Sequence, residues 1–401
     1  MKLIILGFAT LLVAFVGPLQ AEEKPGPIRP DPRVFQPPKV SDAPGFEEEG
    51  LKAIFYEGVP YHGKPSRVFA WLGIPKTPTA SGRFPAMVLV HGGGGTAFAK
   101  WVRLWTDRGY VAIAMDTCGQ LPRGNPKHWD RDPQGGPPGW GGFDQVNERL
   151  EDQWSYQAIS DVILANSLLR SLPQVDPDRI GLTGISWGGY LTCIVAGLDT
   201  RFKFAAPVYG CGFLGEDSAW LTHFQKMGPN AAEGWLGTWD PSVYLAGVKM
   251  PTLWVDGTND SNYPLESLQK SYRLVPGPRT LCIRVLMPHN HSAGQTAPEI
   301  FAFADGILRG GKPLAQVTEI GREGENVWTS YNPSTKIAKA EFNFTRDDGP
   351  WPKRKWWTRA ATVHPDEARV DVELPPGARV CYFNLIDDKG LIVSTDYVEL
   401  K

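Results

Sequence analysis

Cysteine is scarce in this chain. Five occur in 401 residues (Cys118, Cys193, Cys211, Cys282 and Cys381), with no close pairs among them. That spacing gives no paired-thiolate metal motif and no dense disulfide framework. Cys193 and Cys282 lie inside apolar runs and read as buried thiols. Cys118 and Cys211 lie near predicted strand ends, where an exported protein could link them. An excess of one charge is also missing. The net charge is −2, so no basic surface argues for nucleic acid. Past the N-terminus no apolar run is long enough to span a bilayer. The glycine run at 92–95 is not followed by Gly-Lys-Ser/Thr, which excludes a phosphate loop. No internal repeat is visible.

The first residues carry their own pattern. Met1-Lys2 is followed by an apolar stretch from Leu3 to Val16, then Gly17-Pro18, then Ala21 before Glu22-Glu23. A basic start, a short apolar core and a small residue before an acidic pair make a secretory signal over 1–21. The expected protein is therefore secreted or periplasmic, with no stable membrane insertion once the signal is removed. Residues 22–50 are rich in proline and acidic groups and are expected to form an extended leader, on the surface or disordered.

From about residue 51 to 311 strands and helices alternate. Pro85–Val90, Val111–Met115, Phe204–Val208, Thr252–Val255 and Leu281–Leu286 are short apolar runs that suit buried strands. Asp152 to Leu172 repeats apolar residues at helical spacing, and Pro173 stops it. Such repeats imply an α/β fold with a mostly parallel central sheet covered on both faces. Two insertions interrupt the pattern. Residues 119–151, full of Gly, Pro and Trp, suggest no regular element, and 213–240 suggest a helical cap. Both follow predicted strand ends, the edge where open α/β sheets bind ligands. After Gly310-Gly311-Lys312-Pro313 the spacing changes to two. Residues 312–401 therefore predict a small antiparallel β-sandwich of immunoglobulin or fibronectin-III type. Trp351, Trp356 and Trp357 in it are expected to form an interdomain contact.

The chemistry centres on Gly184-Ile185-Ser186-Trp187-Gly188, a G-x-S-x-G nucleophile elbow. In a chain this rich in glycine, chance gives roughly 0.2 such pentapeptides, so context must decide. The context fits: an apolar strand precedes the serine and an apolar helix follows. A serine hydroxyl needs a base to take its proton and a carboxylate to orient that base. In chain order the acid comes next. Asp260 on the loop after Thr252–Val255 is the candidate, and Asp256 at the strand end reads as a cap of the turn. The histidine lies after the last strand, in Met287-Pro288-His289-Asn290-His291. His291, followed by small Ser292, Ala293 and Gly294, is taken as the base, and His289 as its structural support. A metal reading of His289-x-His291 lacks a third ligand nearby. The oxyanion requires backbone N–H donors. Trp187, after the nucleophile, supplies one, and Gly94 or Gly93 the other. No cofactor is called for.

His91-Gly-Gly-Gly, Gly184-Ile-Ser186-Trp-Gly188-Gly, Gly257-Thr-Asn-Asp260, a late His291 and Asp178-Arg179-Ile180-Gly181 together resemble an α/β-hydrolase. The resemblance is to the acetyl xylan esterase, dienelactone hydrolase and prolyl-oligopeptidase-like clan, over about residues 51–310. It implies a serine esterase acting on a small-molecule or carbohydrate ester. Dienelactone hydrolases use Cys where this chain has Ser186, and the leader is expected to be too short for the propeller of an oligopeptidase. The glucuronoyl esterase pattern Cys-Ser-Arg is also missing from the elbow. Two rivals remain. One is a small serine peptidase or amidase, with Glu148 or Glu151 to bind a free amino terminus. The other is a non-catalytic carbohydrate-binding or surface protein, suggested by the Trp-rich loops.

Overall fold

Neither Phe84–Val90 nor Val111–Met115 has an exposed residue. A strand with no polar face must be covered on both sides, which is the parallel-sheet solution. A computed structural model, which describes residues 26–76 and 82–400, has this arrangement. The signal expected at 1–21 and the first residues of the leader lie outside the described residues.

The strands in the first three quarters of the chain are β1 (Val40–Asp42), β2 (Leu51–Glu57), β3 (Arg67–Gly73), β4 (Phe84–Val90), β5 (Val111–Met115), β6 (Gln120–Asn125), β7 (His128–Arg131), β8 (Val175–Ile185), β9 (Phe204–Val208), β10 (Thr252–Gly257) and β11 (Arg279–Arg284). The helices are α1 (Ala99–Thr106), α2 (Trp154–Ser171), α3 (Trp187–Leu198), α4 (Leu221–Met227), α5 (Pro229–Trp239), α6 (Ser242–Leu245), α7 (Leu265–Leu274), α8 (His291–Gln295) and α9 (Pro298–Arg309). Pairing runs β1-β2-β3-β5-β4-β8-β9-β10-β11. The first three pairs are antiparallel and every later pair is parallel. Among the described residues no helix is long and apolar enough to cross a membrane.

α2 is buried on every side from Trp154 to Leu169. A helix with no exposed face, whose buried Ser, Gln, Asp and Asn also need partners, must be covered away from the sheet as well. The leader supplies it: of its two expected states, residues 26–50 take the one on the surface, and they are anchored there by Ile28, Val34 and Ala43. Val34 is fully buried, its carbonyl accepts from Ser167 Oγ at 2.7 Å, and the Asp31 N–H donates to the Tyr156 hydroxyl at 3.2 Å.

The 119–151 insertion is more regular than its composition suggested. β6 and β7 form a hairpin around Pro126-Lys127, with Lys127 at φ +70°. Proline followed by a positive φ is the type II turn signature. Residues 213–240 hold α4 and α5. The two insertions clasp each other: Trp235 Nε1 donates to the Gly141 carbonyl at 2.8 Å, and the Phe143 ring lies 4.9 Å from that of Trp235.

The C-terminal strands are β12 (Val317–Glu323), β13 (Asn326–Tyr331), β14 (Ile337–Thr345), β15 (Trp356–His364), β16 (Arg369–Glu373), β17 (Val380–Asp387), β18 (Ile392–Ser394) and β19 (Val398–Glu399). All their mutual pairings are antiparallel. β15 pairs with β14 through Trp356–Ala361 and with β16 through its last three residues. β18 also pairs with β11, Ser394 opposite Leu281, so this unit extends the central sheet edge to edge. The rings of Trp351, Trp356 and Trp357 pack on Tyr397, Tyr382 and Phe344 within the unit itself. It is the backbone beside Trp351 that meets the hydrolase. All five cysteines are free and buried, so Cys118 and Cys211 are not linked.

Candidate active site

Ser186 joins β8 to α3 with φ +58° and ψ −118°. A non-glycine residue is strained there, and the strain persists because both neighbours hold it. Ser186 N–H donates to the Val208 carbonyl at 2.8 Å, and its own carbonyl accepts from Tyr190 N–H at 2.9 Å. The flanking glycines are obligatory for steric reasons. A Cβ on Gly188 would lie 2.0 Å from the Val90 carbonyl oxygen, and one on Gly184 2.1 Å from that of Gly188.

The histidine in contact with this serine is His289. Its Nε2 lies 2.9 Å from Ser186 Oγ and its Nδ1 2.5 Å from Asp260 Oδ2. Asp260 is buried, and its other oxygen accepts the Asn262 and Tyr263 N–H groups at 2.8 Å each. The Tyr209 hydroxyl donates to the Pro288 carbonyl at 3.0 Å, which ties down the histidine loop, and its ring lies 4.7 Å from that of His289. Asp256 sits behind Asp260, fully buried, and accepts the Gly257 N–H at 2.6 Å. Burial, and then the neighbouring Asp260 charge, push its carboxyl well up. It caps the turn.

His291, taken from the sequence as the base, points elsewhere. Asn290 caps α8 through a bond from Ala293 N–H to its side chain at 2.8 Å, so His291 is locked in the first helical turn. Its ring lies 4.4 Å from Phe98 and 4.8 Å from Trp101. The small residues after it do permit a close approach, but of α8 to the sheet. A Cβ on Gly294 would touch Val208 and Ile185 at 3.1 and 3.2 Å. The sequence signal for choosing His289 was Asn290 itself: an N-cap commits the residue after it to the first helical turn and leaves the residue before it outside the helix.

Burial first, and His91 second, hold the His291 imidazole down to about 3, and its Nε2 has no hydrogen-bond partner. The unfolded chain protonates this histidine below about pH 6.5, whereas the folded chain does not until about pH 3. The stability that depends on its neutral form is therefore complete above pH 6.5 and is lost as pH falls toward 3. His291→Phe fills the same aromatic slot without the proton. Urea midpoints of the two proteins should diverge below pH 6.5 in favour of the variant, by up to about 1.4 kcal/mol per pH unit. Parallel curves would exclude a buried neutral His291.

The glycine run after β4 forms a turn closed by Gly95 N–H to the Gly92 carbonyl at 3.1 Å. It meets the elbow through Gly92 and through Gly93, one of the two glycines expected to donate to the oxyanion. A Cβ on Gly92 would lie 3.0 Å from Ser186 Cβ, and one on Gly93 2.9 Å from the Trp187 ring. Gly94 faces the β6–β7 hairpin, where its carbonyl accepts from Lys127 N–H at 3.1 Å and Trp129 Nε1 at 3.0 Å. His91 fixes the turn, a role sequence reasoning did not assign. Thr117 N–H donates to its Nε2 at 3.1 Å, so the proton sits on Nδ1 and donates to the Gly92 carbonyl at 3.0 Å. Burial lowers the His91 pKa and keeps the ring neutral for this.

Aromatic side chains wall the site. Trp187 lies 4.6 Å from Trp220, Trp220 4.8 Å from Tyr263, and Tyr263 stacks 6.3 Å from His289. On the other side the His91 and Trp140 rings are 5.5 Å apart. Glu148 lies 3.8 Å from His62, and Glu151 pairs with Arg149 at 2.9 Å. Among the described residues no group of three or more His, Cys, Asp or Glu could hold a metal ion.

Comparison with known proteins gives two overlapping family matches. The acetyl xylan esterase (AXE1) model matches residues 51–218, and the prolyl oligopeptidase family model matches residues 138–305. Among solved structures, the acetyl xylan esterase from Paenibacillus sp. R4 superposes with a TM-score of 0.54 at 22% identity, over 69% of this chain and 91% of that one. Acetyl xylan esterase 1 from Thermoanaerobacterium sp. JW/SL YS485 superposes at 0.51 and 18% identity, over 67% and 93%. Among curated proteins, dipeptidyl-peptidase 5 of Porphyromonas gingivalis is 25% identical over 179 residues, 43% of this chain. The match spans only 22% of that peptidase's length. The fold, the two family matches and the strained serine at the β8–α3 turn agree: the chain has the α/β-hydrolase fold and resembles the acetyl xylan esterase and prolyl-oligopeptidase-like branches of that superfamily.

Proposed function

We propose that this chain is an exported serine carboxylic-ester hydrolase that works through an acyl-enzyme on small-molecule or carbohydrate esters. The observation that carries the reading is the unbroken line from Ser186 Oγ through His289 to Asp260, at 2.9 and 2.5 Å. Ser186 Oγ attacks the ester carbonyl while His289 Nε2 takes its proton. Asp260 holds the other proton on Nδ1 and so fixes the tautomer. We assign the N–H groups of Trp187 and of Gly93 or Gly94 to the developing oxyanion, each contributing a few kcal/mol of barrier lowering. His289 returns the proton to the leaving alcohol, and water then repeats the sequence on the acyl-enzyme. The Trp220 and Trp140 rings beside the serine suit a sugar or aromatic ring. The C-terminal β unit, which we read as an immunoglobulin-like sandwich, contributes no reacting group.

A second reading keeps the triad and cleaves an amide, as a small peptidase. Its support is the prolyl oligopeptidase family match and the dipeptidyl-peptidase relatives. Short-chain p-nitrophenyl esters and aminoacyl anilides assayed side by side test the choice. Ester cleavage should be faster and should vanish in Ser186→Ala. Faster anilide cleavage would establish the peptidase reading instead, and activity surviving in Ser186→Ala would end both.

A further inference from the structure

The acid loop of the site is held from outside the hydrolase. Asn259, next to Asp260, donates through its side-chain Nδ2 to the Pro352 carbonyl at 3.0 Å and the Arg354 carbonyl at 2.7 Å. Both belong to the segment between β14 and β15 of the C-terminal unit. Both contacted atoms are acceptors, so only an amide or another double donor fits there. The Asn259 oxygen accepts from Thr258 Oγ at 2.8 Å, and that same Oγ accepts from Leu286 N–H at 3.1 Å. Leu286 lies on the histidine loop, three residues before His289, at φ +55°. Thr258 N–H adds a bond to the Arg284 carbonyl at 3.0 Å. The loops are also in contact directly, since a Cβ on Gly257 would lie 2.6 Å from the Met287 carbonyl.

The geometry points to Asn259 as a positioning residue: we infer that the C-terminal unit, through Asn259 and Thr258, sets the spacing between the loop that bears Asp260 and the loop that bears His289. The inference rests on the triad reading above. Three features support it. The relay runs without a gap from Pro352 and Arg354 to Leu286. Every hydrogen-bonding atom of the Asn259 side chain is used in it. And the Trp351–Lys353 turn is itself held, by the Trp351 ring against Tyr397 at 4.9 Å and the Arg354 guanidinium over Trp351 at 3.7 Å. A second interdomain contact lies elsewhere: Asp396 pairs with Arg273 at 2.7 Å on the side of α7. It provides a control that loosens the same interface without touching the relay.

The test compares Asn259→Ala, isosteric Asn259→Asp and Asp396→Asn in the full chain, with Ser186→Ala alongside. Both Asn259 variants should fold, keep KM within about threefold and lose kcat by about 10- to 100-fold, the usual cost of a misplacement near 1 Å. The low-field proton resonance of the His289–Asp260 hydrogen bond should shift or broaden in them. Asp396→Asn should melt earlier yet keep both kcat and that resonance. If the Asn259 variants keep kcat and the resonance while Ser186→Ala is inactive, the relay is wrong and the triad stands. If Asp396→Asn loses kcat equally, the effect is general loosening and the inference falls. If Ser186→Ala is active, the triad reading fails and the inference with it.

Discussion

Replacing His289 with alanine should lower kcat on p-nitrophenyl acetate by on the order of 10⁴- to 10⁶-fold, with little change in melting temperature. Its imidazole is the group in contact with both Ser186 Oγ and Asp260. Without it the serine keeps its proton, and only the oxyanion donors and binding remain. His291→Phe should leave kcat within about threefold, because its ring packs against Phe98 and Trp101 and bonds to neither partner. The pair makes a sharp comparison, since the two histidines are two positions apart, on either side of the Asn290 cap. A large loss in His291→Phe with normal turnover in His289→Ala would reverse the assignment.

The second large effect concerns the C-terminal unit. A chain ending at Gly311 should melt earlier by roughly 10 °C or more, and should aggregate. Truncation strips β11 of its neighbour β18 and leaves a central-sheet edge open to other chains. It also removes the partners of buried groups. The Ile283 carbonyl loses Asn384 Nδ2 at 3.2 Å, Glu299 loses the Ile392 N–H at 2.9 Å, and Gln269 loses Asp396 and the Tyr397 carbonyl. Each buried polar group left without its partner costs about 1–3 kcal/mol, and a domain of this size loses roughly 2–4 °C for each kcal/mol. Differential scanning of the full and shortened chains checks this. A shortened protein of equal stability that loses only polysaccharide binding would instead make the unit a carbohydrate-binding module.

The parts legible in the sequence were those where one physical requirement dominates. Val111–Met115 and Phe204–Val208 were read to the residue, because an unbroken apolar run of five between turn signals leaves little choice. The elbow was legible because the steric demand on Gly184 and Gly188 is absolute. The leader keeps to the surface, as its composition suggests, but the reason it docks lies elsewhere, in α2, a helix buried on every side. The β6–β7 hairpin was hidden in a Gly-Pro-Trp stretch, where Pro126-Lys127 sets the turn but no alternation marks the strands. The choice between His289 and His291 turned on the helix cap at Asn290, a local signal outweighed by the small residues after it. The link from Asn259 to Pro352 and Arg354 spans 93 and 95 positions and uses backbone acceptors, so no pattern of side chains could announce it.

The most direct test is where a fluorophosphonate attaches. The intact protein should take up one equivalent, and peptide mapping should place the adduct on Ser186. His289→Ala should label more slowly by several orders of magnitude, His291→Phe should label at the normal rate, and Ser186→Ala should not label at all. An adduct on another residue, or a protein that does not react, would contradict a hydrolase built on Ser186, His289 and Asp260.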